Sequence, residues 1–121
     1  MVGDKTIRIF YYCSAALSIT NGEVIKNVIE ENIEKSEKII LDFEGITLFA
    51  TPFFNLAIGH FIIKLTPKIF DNKIKCINLT ELGSATLQYS YDNACMIYKN
   101  SIKAEEIDEI NKIIDDNISE V

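Results

Sequence analysis

The sequence predicts a single α/β domain, built on a mixed sheet of three to five strands and followed by an acidic C-terminal helix. Short apolar, β-branched segments alternate with longer segments in which apolar residues recur every three or four positions. The chain of 121 residues is long enough to bury one core without metals or disulfides. Because acidic residues concentrate at the C-terminal end, we divide the chain into a domain at 1–100 and a tail helix at 101–121.

The first predicted elements are a hairpin and a helix. Residues 6–13 are rich in β-branched and aromatic side chains, which is typical of a strand, and 14–19 are expected to add a short second strand. The run Thr20-Asn21-Gly22-Glu23 matches a capping box. In such a box the threonine side chain caps the helix, and the glutamate side chain accepts a hydrogen bond from the threonine N–H. This helix is predicted to continue to Lys35. Its apolar stripe consists of Val24, Ile25, Val28, Ile29 and Ile33.

The centre of the chain, residues 38–65, is predicted to form a strand, an exposed turn and a buried helix. The apolar run at 39–41 is typical of a strand that is buried on both faces, and 42–45 contain turn-favouring residues. Thr51 and Pro52 then mark a helix start. A threonine hydroxyl can cap free backbone N–H groups, and proline suits the first helical position.

One further strand and two helices complete the predicted fold. Pro67 is expected to end the central helix, and Asp71-Asn72 to form a turn. Residues 73–79 have the pattern of a strand, and 83–99 and 104–120 have the periodicity of helices. Because strands and helices alternate, pairing across the two crossovers is predicted to be largely parallel. One face of the last helix is lined by Ile107, Ile110, Ile114 and Ile118.

Charge and hydropathy argue against two classes of partner. The net charge is −6, of which −5 falls on residues 101–121, and a near-neutral body with an acidic tail is unsuited to nucleic acid. The uncharged stretch between Glu44 and Lys64 is nearly as long as a membrane span. Thr51 and Pro52 divide it into two pieces that are each too short, so we expect no membrane association. The charged start of the chain predicts no secretory signal and a cytoplasmic location.

The residues offer little catalytic chemistry. His60 is the one histidine, the five glycines stand singly, and the three cysteines form no CxxC pair. Asp42 and Glu44 end the central strand and are spaced to point to the same side. Two carboxylates could hold a divalent cation only with added waters, and capping of a turn explains them equally well. We therefore expect no enzymatic activity, no metal and no cofactor.

The helix start at Thr51 is the most informative candidate site. A phosphate on its hydroxyl would face unpaired backbone N–H groups and change the local charge by roughly −1.5 to −2. The alternative is that Thr51 only caps the helix. An exposed Phe49 or Phe53 nearby would provide an interface anchor. The predicted interface or phosphoswitch residues are Thr51, Pro52, Phe49, Phe53, Asp42 and Glu44.

The sequence contains the runs Leu41-Asp42-Phe43-Glu44-Gly45-Ile46, Thr51-Pro52, Phe54-Asn55 and Gly59, followed by Tyr91-Asp92-Asn93-Ala94 and Tyr98. These residues resemble the signature of a known family, the STAS-like prokaryotic family of unknown function. The resemblance extends over about residues 16–98 and leaves the acidic tail outside. The family is similar in layout to STAS domains, which include the anti-sigma-factor antagonists.

The resemblance implies a non-enzymatic regulatory module that binds a protein, with a histidine-kinase-like ATPase of the anti-sigma type as one candidate partner. In the antagonists, phosphorylation of a serine at the start of a helix releases the complex. Aligned without gaps, their Asp-Ser-Ser-Gly motif falls on residues 50–53. Pro52 then stands at the phosphoacceptor position, so a switch would depend on Thr51. Two alternatives stay open: a small-molecule or nucleotide site at the same helix N-terminus, and a homo-oligomer formed through the C-terminal helix.

Overall fold

A three-stranded parallel sheet forms the centre of the fold. The structure is a computed structural model and describes residues 3–119. The strands are β1 (Lys5–Arg8), β2 (Ile39–Asp42) and β3 (Ile74–Ile77), in the order β1-β2-β3. Both pairs are parallel, so the predicted pairing across the crossovers is confirmed. In this register the residues at the carboxyl ends of the three strands lie side by side, and they form one edge of the sheet.

The described residues also contain five helical segments. The central one, α3, runs over 51–65, and its middle turn, Asn55–Gly59, is π-helical between α-helical Thr51–Phe54 and His60–Leu65. The predicted helix start at Thr51 is therefore confirmed. The other helices are α1 (Ile9–Tyr12), α2 (Ile19–Asn32), α4 (Pro67–Lys73) and α5 (Glu81–Ser119).

The predicted N-terminal hairpin is wrong, and the sheet is parallel rather than mixed. After Arg8 the chain forms one helical turn, in which the Cys13 N–H donates to the Ile9 carbonyl at 3.0 Å. This turn buries Ile9 while Tyr11 stays in solvent, whereas a strand would have placed both side chains on the same face. In place of a second strand, Ala16 makes a single parallel bridge to Phe49.

The start of α2 is capped two residues earlier than predicted. The hydroxyl of Ser18 accepts the Asn21 N–H at 3.0 Å, so Ser18 is the capping residue in place of Thr20. The Asn21 side chain donates to the Ala15 carbonyl at 3.1 Å, which ties the helix to the preceding loop. The helix ends at Asn32 and not at Lys35.

Pro67 begins a helix, contrary to the prediction that it only ends one. Thr66 lies at φ +78 and its hydroxyl accepts the Ile69 N–H, so the chain turns sharply and restarts as α4. The predicted turn at Asp71-Asn72 is therefore helical. Because α5 is one continuous helix, the two predicted C-terminal helices are joined. The isoleucine stripe of the tail lies outside the described side chains.

One face of the sheet packs against helices, and the other face is exposed to solvent. Leu41 of β2 belongs to the same buried cluster as Ile25 and Ile29 of α2, so the predicted apolar face of α2 is confirmed at these residues. On the opposite face, Arg8 and Lys75 are exposed. Within residues 3–119, no helix is both long enough and apolar enough to cross a bilayer.

A polar contact joins α2 and α3 at the surface. The Nε2 atom of His60 lies 3.1 Å from Oε1 of Glu30, and the Lys64 ammonium lies 3.9 Å from the same oxygen. The single histidine thus has a carboxylate partner between two helices.

Candidate functional site

The start of α3 carries an exposed, uncharged patch. Pro52 is exposed, Thr51 is half-buried, and the neighbouring end of α2 presents Ile19 with 61% of its surface exposed. Ile19, Pro52, Asn55 and Leu56 line a shallow cavity of about 340 Å³. We call these four residues and Thr51 the helix-start patch.

The sequence suggested that the Thr51 hydroxyl caps the helix, and the structure shows that it does not. Ala50 is the N-cap residue, Thr51 is the first helical residue, and no side chain caps this helix end. The reason is the preceding loop. The Ala50 N–H donates to the Ala16 carbonyl at 2.9 Å, and the Ala16 N–H donates to Leu48 at 2.9 Å, so extended backbone continues up to Ala50.

Phe49 and Phe53 cannot serve as surface anchors, because both are buried. The Phe53 side chain has no exposed surface, and Phe49 stacks on Phe54 with ring centroids 6.0 Å apart. Phe43 lies against all three of these rings. The aromatic residues around the helix start therefore form core, and they hold Pro52 at the surface.

Asp42 and Glu44 lie at the carboxyl edge of the sheet, away from the helix-start patch. Oδ1 of Asp42 accepts the Asn78 side-chain amide at 2.9 Å and the Glu44 N–H at 3.0 Å. These two donors, the Asn78 amide first, hold the pKa of the Asp42 carboxyl below its ordinary value. Asp42 thus acts as a buried carboxylate that joins the end of β2 to the end of β3.

The Asn78–Asp42 hydrogen bond leads to a testable dependence of stability on pH. Asn78 lies at φ +60, which glycine adopts without strain, so Asn78→Gly removes the donor and keeps the backbone. Near neutral pH, we expect the variant to lose about 1.5–3 kcal/mol of unfolding free energy, the range for a hydrogen bond to a charged group. Urea denaturation of both proteins measures this difference.

The difference in unfolding free energy between wild type and Asn78→Gly should disappear in acid. The pKa of Asp42 is lowered from 3.8 by folding, so the stabilisation is present above about that pH and is lost as the pH falls through the folded-state pKa. A difference between wild type and Asn78→Gly that is as large at about pH 2 as at about pH 7 would contradict this account.

A second cavity, of about 350 Å³, lies at this edge of the sheet. Its lining residues are Arg8, Phe10, Tyr11, Asp42 and Glu44. We call it the edge pocket. It shares no lining residue with the cavity at the helix-start patch, so the predicted site divides into two surfaces and a buried aromatic cluster.

The first three residues of the edge pocket were not predicted from the sequence. The pattern at 6–13 predicted one strand, in which Arg8, Phe10 and Tyr11 had no special role. The signal that could have revealed them is the run of bulky residues at 9–12, which does not alternate between apolar and polar as a half-buried strand does.

A tyrosine–carboxylate pair was also missed. The Tyr91 hydroxyl donates to Asp71, with distances of 2.9 and 3.0 Å to the two carboxylate oxygens, and so joins α5 to α4. Burial and the Asp71 carboxylate raise the pKa of Tyr91.

The remaining titratable groups that the structure describes offer little chemistry of their own. Burial raises the pKa of the Cys76 thiol to about 12, so this thiol is protonated near neutral pH. Among the described residues, no group of three or more His, Cys, Asp or Glu side chains could hold a metal ion.

One comparison with known proteins found a match. A family model described as a STAS-like domain of unknown function (DUF4325) matches residues 21–83, which is just over half of the chain's 121 residues. The matched segment begins in the first turn of α2 and ends in the first turn of α5, so it contains β2, α3 and β3. No curated protein and no solved structure matched the chain.

Proposed function

Because the chain belongs to the family of STAS-like domains of unknown function, we propose that it is a non-enzymatic, cytoplasmic regulatory module that binds a protein partner through the helix-start patch. The observation that carries this proposal is the apolar surface of Ile19, Pro52 and Leu56 at the junction of two helices. Apolar surface on rigid elements is a common basis for protein recognition.

The patch is also suited to regulation. None of its five residues carries a charge, so a phosphate on Thr51 would add roughly −1.5 to −2 charges to an otherwise neutral surface. The Thr51 hydroxyl is not engaged in capping and the residue is half-buried at the edge of the patch. Phosphorylation would therefore disfavour an apolar contact without dismantling the helix, since the helix dipole favours negative charge at this end.

The candidate partner is a histidine-kinase-like ATPase of the anti-sigma type. This class follows from the resemblance of the family to STAS domains, which include antagonists that bind an ATP-binding anti-sigma kinase and are released when a serine at the start of a helix is phosphorylated. The exposed position of the α3 start supports the same mode of binding here.

The test is a quantitative pull-down from a lysate of the source cells, with mass spectrometry of the retained proteins. We expect wild type to retain an ATPase of this class, and expect Thr51→Glu and Ile19→Glu each to retain at least about tenfold less, because each places a charge in the apolar contact. Thr51→Ser preserves the hydroxyl and should bind as wild type does.

The matched control is Ile69→Glu, which adds the same charge at a side chain that is 54% exposed on α4. It should retain the ATPase as wild type does. Equal recovery of the ATPase by wild type and Ile19→Glu would refute the proposed surface. Equal recovery by wild type and Thr51→Glu would refute the switch.

A further inference from the structure

The edge pocket lies where parallel α/β folds bind small ligands. It opens at the carboxyl ends of β1 and β2, and strand ends of this kind are the usual ligand position in parallel sheets. Its volume of about 350 Å³ is at the lower end of the range for small-molecule sites, so it suits a ligand of few atoms. The pocket is distinct from the helix-start patch, and its role goes beyond the proposed function.

The pocket presents both signs of charge. Asp42 is only 8% exposed, and its two hydrogen bonds both go to Oδ1. Among the hydrogen bonds of the described residues, none reaches Oδ2. Arg8 is the register partner of Asp42 on the adjacent strand, so both side chains leave the same face about 4.8 Å apart. No ion pair between them occurs in the part of the chain that the structure describes.

Two aromatic side chains form the apolar wall of the pocket. Phe10 is 56% exposed and Tyr11 is 83% exposed, and neither is part of the buried core. Phe10 packs over Gly45, which lies at φ +86 and where an added Cβ would come within 3.3 Å of the ring. The ring is therefore supported from one side, while its remaining surface and that of Tyr11 are open to a ligand.

We propose that the edge pocket binds a free α-amino acid with an aromatic or branched apolar side chain. Its ammonium group would donate to Asp42, with Glu44 adding negative charge nearby. Its carboxylate would accept from Arg8, and its side chain would pack on Phe10 and Tyr11. The close spacing of Arg8 and Asp42 fits a ligand that carries both charges on one carbon. A peptide terminus carries only one of the two charges.

Isothermal titration calorimetry with the full chain tests this proposal. The probes are L-phenylalanine, L-leucine, N-acetyl-L-phenylalanine and L-phenylalanine methyl ester. We expect at least one of the two free amino acids to bind. The acetylated and esterified forms of phenylalanine should bind at least about tenfold more weakly than L-phenylalanine, because each lacks one charge-assisted contact.

Variants at the exposed pocket residues provide a second test of where the amino acid binds. Arg8→Gln and Tyr11→Ala should each weaken amino-acid binding by about tenfold, and circular dichroism should show an unchanged fold. The matched controls are Lys68→Gln and Tyr89→Ala, which alter exposed residues on α4 and α5 and should bind as wild type does. Asp42 is left unchanged in this experiment, because it also holds the ends of β2 and β3 together.

Three results would overturn the proposal. The first is that neither amino acid binds at about 10 mM. The second is that Arg8→Gln and Tyr11→Ala leave the binding unchanged. The third is that the methyl ester binds as tightly as the free amino acid, which would indicate a site for a chain N-terminus or an amine. At about 10 mM ligand, a site with a Kd of about 1 mM would be roughly 90% occupied, so its binding would be detected. None of these results bears on the helix-start patch, because the two surfaces share no residue.

Discussion

Replacing Phe54 by alanine is expected to lower the free energy of unfolding by about 3–5 kcal/mol, the range for deleting a buried aromatic ring. The Phe54 side chain is fully buried. Its ring centroid lies 5.7 Å from Phe43, 6.0 Å from Phe49 and 5.3 Å from Phe53. Three neighbouring rings cannot all collapse into the space that the substitution leaves, so a cavity should persist. Small domains have about 5–15 kcal/mol of stability in total, so this loss is a large share of it.

Urea denaturation followed by circular dichroism measures the loss. The matched control is Phe10→Ala, which removes the same ring from a side chain that is more than half exposed, and it should change stability by less than about 0.5 kcal/mol. A similar effect of the two substitutions would show that the four-phenylalanine cluster is not the centre of the core.

The same cluster anchors the helix-start patch on the core. Phe53 and Phe54 follow Pro52 directly, and their burial fixes the first turn of α3 on the core. Pro52 and Asn55 are then presented to solvent from a turn that is anchored on its other side. Destabilisation at Phe54 should therefore also weaken the partner binding that we propose for this patch, even though Phe54 does not contact solvent.

Replacing Gly22 by alanine is expected to destabilise the protein by about 1–3 kcal/mol, the cost of overpacking a tight contact. Gly22 lies in α2, where the helix crosses the start of α3. An added Cβ would lie 2.8 Å from the Phe53 carbonyl oxygen and 3.2 Å from the Leu56 Cβ. Because the nearest of these atoms is backbone, the two helices would have to move apart.

Gly59 provides the matched control on the other side of α3. A Cβ at this position would lie 3.7 Å from the Ala94 Cβ, which is ordinary van der Waals contact. We expect Gly59→Ala to be neutral or to stabilise the protein by up to about 1 kcal/mol, because alanine has the higher helix propensity. Thermal and urea denaturation compare the two variants. If both substitutions had the same effect, the close approach of α2 and α3 at Gly22 would not be a constraint.

The sequence predicts the fold best where the signal is local. The apolar run at 39–41 formed the central strand, and the proline after Thr51 marked the helix start, because proline is compatible with the first turn of a helix. Parallel pairing followed from the alternation of strands and helices. Local propensity failed at residues 9–12, where β-favouring aromatics form a helical turn that buries Ile9 and leaves Tyr11 in solvent.

The sequence by itself determined the α/β class, the central strand and the position at which α3 begins, because turn chemistry and hydrophobic period depend on neighbouring residues in the chain. Only the tertiary structure decided that Phe49 and Phe53 are core and that Asp42 faces a pocket separate from Thr51. Burial and pairing depend on residues far apart in sequence. Asn78 meets Asp42 only because β2 and β3 end at the same edge of the sheet, and no local pattern encodes that meeting.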